Sequence, residues 1–167
     1  MRIQERGTRN VRNLLVFLSI LTGCKPNTVR PYFPPVTGAP QTEIELKVLD
    51  ATEALADVLR GDSIPVTRVS TRDGFVESAW FTADTRQPTG ARKLGPDVVQ
   101  VRAWIDPSRP GYSRIVIETV YRPLADPSLS ARDLDRQVAP DHPIGKRMNE
   151  IITQLAKLYS TEPDSTR

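Results

Sequence analysis

Apolar residues recur along this chain with two periods, and the switches between them predict the elements. Residues 43–48, EIELKV, alternate Ile44, Leu46 and Val48 with charged neighbours, the pattern of a half-buried strand that suits a sheet edge. Asp50 then offers a cap with Glu53 three residues on. Ala51, Ala54, Leu55, Val58 and Leu59 share one face up to Gly61, which predicts a short helix over 51–60. IPVTRVSTR and FVESAWFTA alternate around Asp73-Gly74, the signal of a hairpin.

After a polar loop at 84–97, VVQVRAWID and YSRIVIETVYR read as two strands joined across PSRPG. Val99, Val101, Ala103 and Ile105 share one face, as do Ile115, Ile117, Thr119 and Tyr121, so keeping those faces together restricts the register to even steps. Arg102 and Glu118 then fall opposite or diagonal to one another on the other face, a cross-strand ion pair contributing less than about 1 kcal/mol if exposed. A second loop, 123–142, precedes the clearest helix. Pro143 suits its first turn, and Ile144, Met148, Ile151, Ile152, Leu155, Leu158 and Tyr159 form one continuous stripe. The order predicts an α+β fold: an antiparallel sheet of four to five strands with a short N-terminal helix and a long C-terminal helix on one face.

The N-terminal residues belong to another category. MRIQERGTRNVRN places Arg2, Arg6, Arg9 and Arg12 ahead of the apolar run LLVFLSILTGC, the order of an export signal. Cys24, Lys25 and Pro26 end that run well short of the roughly 20 apolar residues a transmembrane helix needs. Leu21-Thr22-Gly23-Cys24 resembles the lipobox of bacterial lipoproteins at every position. The resemblance implies cleavage before Cys24, a diacylglyceryl group on its thiol and acylation of the new amine. Two or more buried acyl chains anchor stably where one is marginal. Lys25 after the cysteine is compatible with sorting to the outer membrane of a two-membrane cell.

Removing this segment changes the charge picture. The whole chain has 23 basic and 20 acidic residues; without the four arginines and Glu5 of residues 1–23 the counts are 19 and 19. A neutral mature chain carries no electrostatic footprint for nucleic acid. Cys24 is the only cysteine, so the folded part has neither an intrachain disulfide nor a thiolate metal site. Residues 25–42 hold Pro26, Pro31, Pro34, Pro35 and Pro40 without a helical or alternating pattern, predicting an extended tether of about 50 Å. Tyr32 and Phe33 within it either stand exposed or dock on the domain, the membrane interface or a partner. The expected organisation is a signal peptide at 1–23, a lipidated cysteine and tether at 24–42, one domain at 43–160 and a disordered tail at 161–167.

Candidate chemistry is sparse. His142 is the sole histidine and is better explained by helix-start packing than by a hydrolytic triad. SARDLDRQVAPD lacks EF-hand spacing and places Arg132 and Arg136 among its acids. TGARKLG lacks the Walker pattern. No catalytic set, cofactor or metal is expected. Trp80 and Trp104 offer two readings. Either strand twist, a bulge or the first helix covers them, or they form a recognition surface on the sheet's second face with Arg102, Arg114, Glu118 and Arg122, since Trp and Arg are frequent interface anchors.

The order of helix, four strands and long helix on an export tether resembles the helix-grip domains of the C lipoprotein in the outer-membrane β-barrel assembly machinery. That resemblance is architectural, over about residues 43–160, with one domain where that family carries two. It implies a membrane-anchored, non-enzymatic domain that binds an envelope protein. The alternative is a carrier of a small ligand or lipid between sheet and C-terminal helix.

Overall fold

The computed structural model describes residues 28–90 and 94–160. Its elements run β1 (Gln41–Ile44), α1 (Val48–Gly61), β2 (Val66–Ser70), β3 (Phe75–Ser78), β4 (Phe81–Thr82), β5 (Gly95–Pro107), β6 (Ser113–Arg122), α2 (Ala131–Leu134), β7 (Arg136–Gln137) and α3 (Pro143–Leu158). The fold is α+β with an all-antiparallel sheet in the order β1-β6-β5-β3-β2. Two short strands raise the count above the four to five expected: β4 pairs with β5 and β7 with β6.

The long β5–β6 ladder sets everything else. Val101 pairs with Thr119, Ala103 with Ile117 and Ile105 with Ile115, so one face is continuously apolar. Arg102 lies directly opposite Glu118 on the other. Helices α1 and α3 cover the apolar face through Ala51, Leu55, Leu59, Met148, Ile151 and Leu155, all buried with Ile44, Val76 and Phe81 in one cluster. Helix α3 follows its sequence pattern closely. Pro143 opens it, and His142 is the N-cap, its Nδ1 accepting the Ile144 N–H at 3.2 Å. Leu158, the last residue of the helix, departs from the stripe and is exposed, while Tyr159 packs against the core.

Several boundaries differ from the expected ones. Strand β1 spans 41–44 rather than 43–48, and α1 begins at Val48, with Lys47 at its N-cap contributing no side-chain hydrogen bond. Asp50 is therefore not the cap. It lies in the first turn, where its charge complements the helix dipole. The hairpin loop has four residues, 71–74, because Ser70 pairs directly with Phe75. The segment after β3 breaks at Ala79-Trp80, where one extra residue enters opposite β5: Glu77 faces Arg102 but Phe81 faces Val99, and the Val101 N–H between them bonds the Ser78 hydroxyl. That break reverses the parity of the strand: Phe81 enters the core with Val76, and Trp80 goes to the second face. The loop 123–142 contains α2 and β7.

The largest departure concerns the proline-rich segment. Residues 28–40 lie across the second face of the sheet as a strap. Val29 N–H bonds Asp73, Arg30 reaches Asp73 and Asp106, Val36 N–H bonds Glu118, and the Pro40 carbonyl accepts the Ile117 N–H.

Gly74 is the one turn residue whose geometry excludes a side chain. Its φ is +59°, and a Cβ would lie 2.0 Å from the Ile105 carbonyl oxygen. Gly74→Ala is expected to cost about 2 kcal/mol or more in urea unfolding. Gly61→Ala, at a position open for at least 4 Å around, is expected to be neutral or to gain about 0.4–1 kcal/mol.

Candidate functional site

Alternation along β5 and β6 directs Gln100, Arg102, Trp104, Glu118 and Arg122 to the second face, where a ladder would normally present them to water. Here Arg102, Glu118 and Trp104 are buried instead, under the strap and the 131–137 segment. Burying a guanidinium requires partners for its N–H groups, and Arg102 has them on every side. Its Nη1 donates to Glu118 Oε1 at 2.8 Å and its Nη2 to Asp135 Oδ2 at 2.8 Å. Gln100 Oε1 accepts from Nε at 3.2 Å and from Nη2 at 2.8 Å, and Glu77 Oε1 lies 3.6 Å from Nε.

The acids are themselves completed by the surrounding chain. Glu118 accepts from Arg132 Nη1 at 3.0 Å on both oxygens and from the Val36 N–H at 2.8 Å. Asp135 accepts from Arg122 Nε at 2.7 Å. Three guanidiniums, Arg102, Arg122 and Arg132, thus meet three carboxylates, Glu77, Glu118 and Asp135, with Arg68 bridging Glu77 at the rim. Aromatic rings fill the space between them. Phe33 of the strap lies 4.6 Å from the Arg132 guanidinium, 5.5 Å from that of Arg102 and 6.3 Å from the Trp104 ring, which in turn packs edge-on to Phe75. The Arg122 guanidinium sits 4.6 Å over Trp80. Trp104 Nε1 is buried without a hydrogen-bond partner among the described residues.

The residues expected to form a recognition surface are largely brought together, but the face they occupy is not open. Trp80, Trp104, Arg102, Glu118 and Arg122 converge on this face, covered by the chain's own strap and loop rather than by the first helix. Arg114 stays outside the network, exposed near the β5–β6 turn. The Arg102–Glu118 pair is correspondingly buried and does not behave as the exposed cross-strand pair of small value. Asp135, Glu77, Gln100 and Arg132 were not marked by the sequence. The available clue was the placement of charged residues at regular second-face positions of otherwise apolar strands. Cys24 lies outside the described residues.

With Glu77, Glu118 and Asp135 each held in an ion pair, this arrangement fixes segments in place. His142 is occupied as a helix cap, and among the described residues no three His, Cys, Asp or Glu side chains group so as to hold a metal. Family models and curated proteins were both compared with the chain, and none matches.

The strap's first contact is sensitive to acid. The Val29 N–H and then the Ser70 hydroxyl hold the Asp73 carboxyl below its ordinary value. A carboxyl whose folded pKa is lowered contributes stability above its unfolded pKa and loses it as pH falls through the folded one. The Val29–Asp73 contact is thus expected to persist at neutral pH and to loosen over a window beginning near pH ~4 and extending below it. Hydrogen exchange at the Val29 amide checks this: protection should fall in that window in the wild type and be lost throughout in Asp73→Ala.

Removing the central guanidinium tests the network itself. Arg102→Met leaves Glu118 and Asp135 buried with incomplete compensation and is expected to cost about 3–5 kcal/mol in urea unfolding. Adding Glu118→Gln should recover part of that loss.

Proposed function

We propose that the chain is a lipid-anchored protein of the bacterial cell envelope, attached through Cys24 at the outer membrane, that presents a non-enzymatic protein-binding domain. The observation that carries the protein-binding part is how the sheet's second face holds Phe33-Pro34-Pro35-Val36. It uses a backbone N–H of that segment on Glu118, a backbone carbonyl on Arg132 and two guanidiniums on one aromatic ring. Main-chain hydrogen bonds with an aromatic seat are the means by which domains grip irregular or proline-rich protein segments. The anchor rests on the export signal and on Leu21-Thr22-Gly23-Cys24. The helix-grip likeness suggests an accessory of an envelope assembly complex as the setting.

A second reading, carriage of a small ligand or lipid, is favoured by a cleft of about 460 Å³ beside α3, lined by Gly38, Pro40, Thr119, Gln137, Val138 and Met148. Its size suits a ligand site. Trp80 and Trp104 are not part of it.

Cross-linking and capture from membranes, comparing wild type with Cys24→Ala, separate these readings. Wild type is expected to incorporate labelled fatty acid and to trap one defined envelope protein; Cys24→Ala should lose the label and its membrane association. A wild type that is never labelled removes the anchor. A small molecule retained in native mass spectra, with no trapped protein, replaces the binding domain by the carrier.

A further inference from the structure

Among the described residues six large apolar side chains are exposed, and four of them gather at one end of the sheet. Val29 is 41%, Tyr32 100%, Leu49 52% and Leu158 62% exposed. The topology brings them there. Val29 bonds Asp73 in the β2–β3 turn, and Tyr32 follows three residues later. Leu49 lies in the first turn of α1, just beyond β1, and Leu158 precedes Tyr159, whose carbonyl accepts the Glu45 N–H. The β5–β6 turn reaches the same end. The other two, Leu124 and Leu129, follow β6 at the opposite end.

This end also carries the exposed cations Lys47, Arg72, Arg109 and Lys157. Arg109 stacks on Tyr112, its guanidinium 3.7 Å from the ring centroid, while bonded to Glu43. Two of the nearby acids, Asp73 and Asp106, are engaged by the strap through Val29 and Arg30, which leaves Glu45 and Asp50 exposed along with Glu43, the partner of Arg109. Aromatic and aliphatic side chains interleaved with Lys and Arg are the composition that settles at the headgroup level of a bilayer.

Chain length then decides which end meets the membrane. Docking of the strap at Val29 leaves five residue steps back to Cys24, about 18 Å at full stretch. From Pro107 at this end of β5 to Val98, beside β4 at the other, is nine steps or about 30 Å. The leash is too short for the far end to face the surface that holds Cys24.

We propose that this end of the sheet, formed by Val29 to Tyr32, the 71–74 and 108–112 turns, the start of α1 and the end of α3, is a lipid-contact surface. It seats against the bilayer that anchors Cys24. The proposal rests on lipid attachment at that cysteine. It also points the far end of the sheet away from the membrane and leaves the gripping face standing to the side, clear of the bilayer.

The acylated full chain provides the test, because its only native cysteine is blocked by lipid and a single introduced cysteine takes one fluorophore. Labels at Arg72→Cys and Pro110→Cys are compared with labels at Gln87→Cys and Leu124→Cys. The vesicles are phosphatidylethanolamine and phosphatidylglycerol with a nitroxide on the headgroup. Quenching at 72 and 110 is expected to exceed that at 87 and 124 several-fold. Equal quenching at all four positions, or stronger quenching at 87 and 124, in protein whose intact mass includes the acyl chains overturns the orientation alone. An intact mass without acyl chains removes the attachment at Cys24, and this surface assignment falls with it.

Discussion

Arg102 stands at the middle of a sheet face, buried away from bulk solvent, and the segments around it are arranged by that constraint. Its partners come from three places: Gln100 on the same strand, Glu118 on the neighbouring strand and Asp135 from the segment between α2 and β7. Each buried acid then needs more than one donor, which draws in Arg122, Arg132 and the Val36 N–H. A buried ionic cluster adds little net stability over a well-packed apolar one, because desolvation offsets much of the attraction. What it supplies is selectivity of arrangement: a loop shifted by one residue would move Asp135 and Arg132 off their partners, and a shifted strap would take the Val36 N–H from Glu118.

The strap converts a segment with tether composition into part of the domain. Its prolines contribute through the unfolded chain, since a segment with restricted φ has less freedom to lose on docking. Phe33 supplies the anchor point between two guanidiniums. Tyr32, next to it, remains in solvent, so two adjacent aromatics answer differently the question their sequence raised. The second face of the sheet, which α1 and α3 leave uncovered, is closed in this way together with the 131–137 segment.

Legibility in the sequence followed the range of the interactions involved. The faces of β5 and β6 and the stripe of α3 could be read because periods of 2 and 3.6 are written in neighbouring residues. Pro143 marked a helix start for the same local reason. The start of α1 was misplaced because Lys47 provides no capping side chain, while Asp50 looks like one that does. The reversal of faces at Ala79-Trp80 depends on an extra residue opposite β5 that no pattern within β3 records. The strap was the hardest to see. Val36 meets Glu118 and Pro34 meets Arg132 across 82 and 98 residues, and a docked proline segment has the composition of a free one. At the candidate site the strand residues could be placed on the right face, but their burial depended on covering segments whose docking only the tertiary structure specifies.

The strap is the earliest of these segments in the chain, yet the groups that hold it are among the last to be made. Residues 28–40 must wait for Glu118, Arg132 and Gln137 before most of their seat exists. Contacts at such sequence separation pay loop-closure entropy before they return any stabilisation, so they belong to the final stage of folding. A chain that emerges N-terminus first therefore carries an unsatisfied leading segment through nearly its whole synthesis. Completion of the fold is then registered in the strap: only when the last third of the domain is in place do residues 28–40 come to rest.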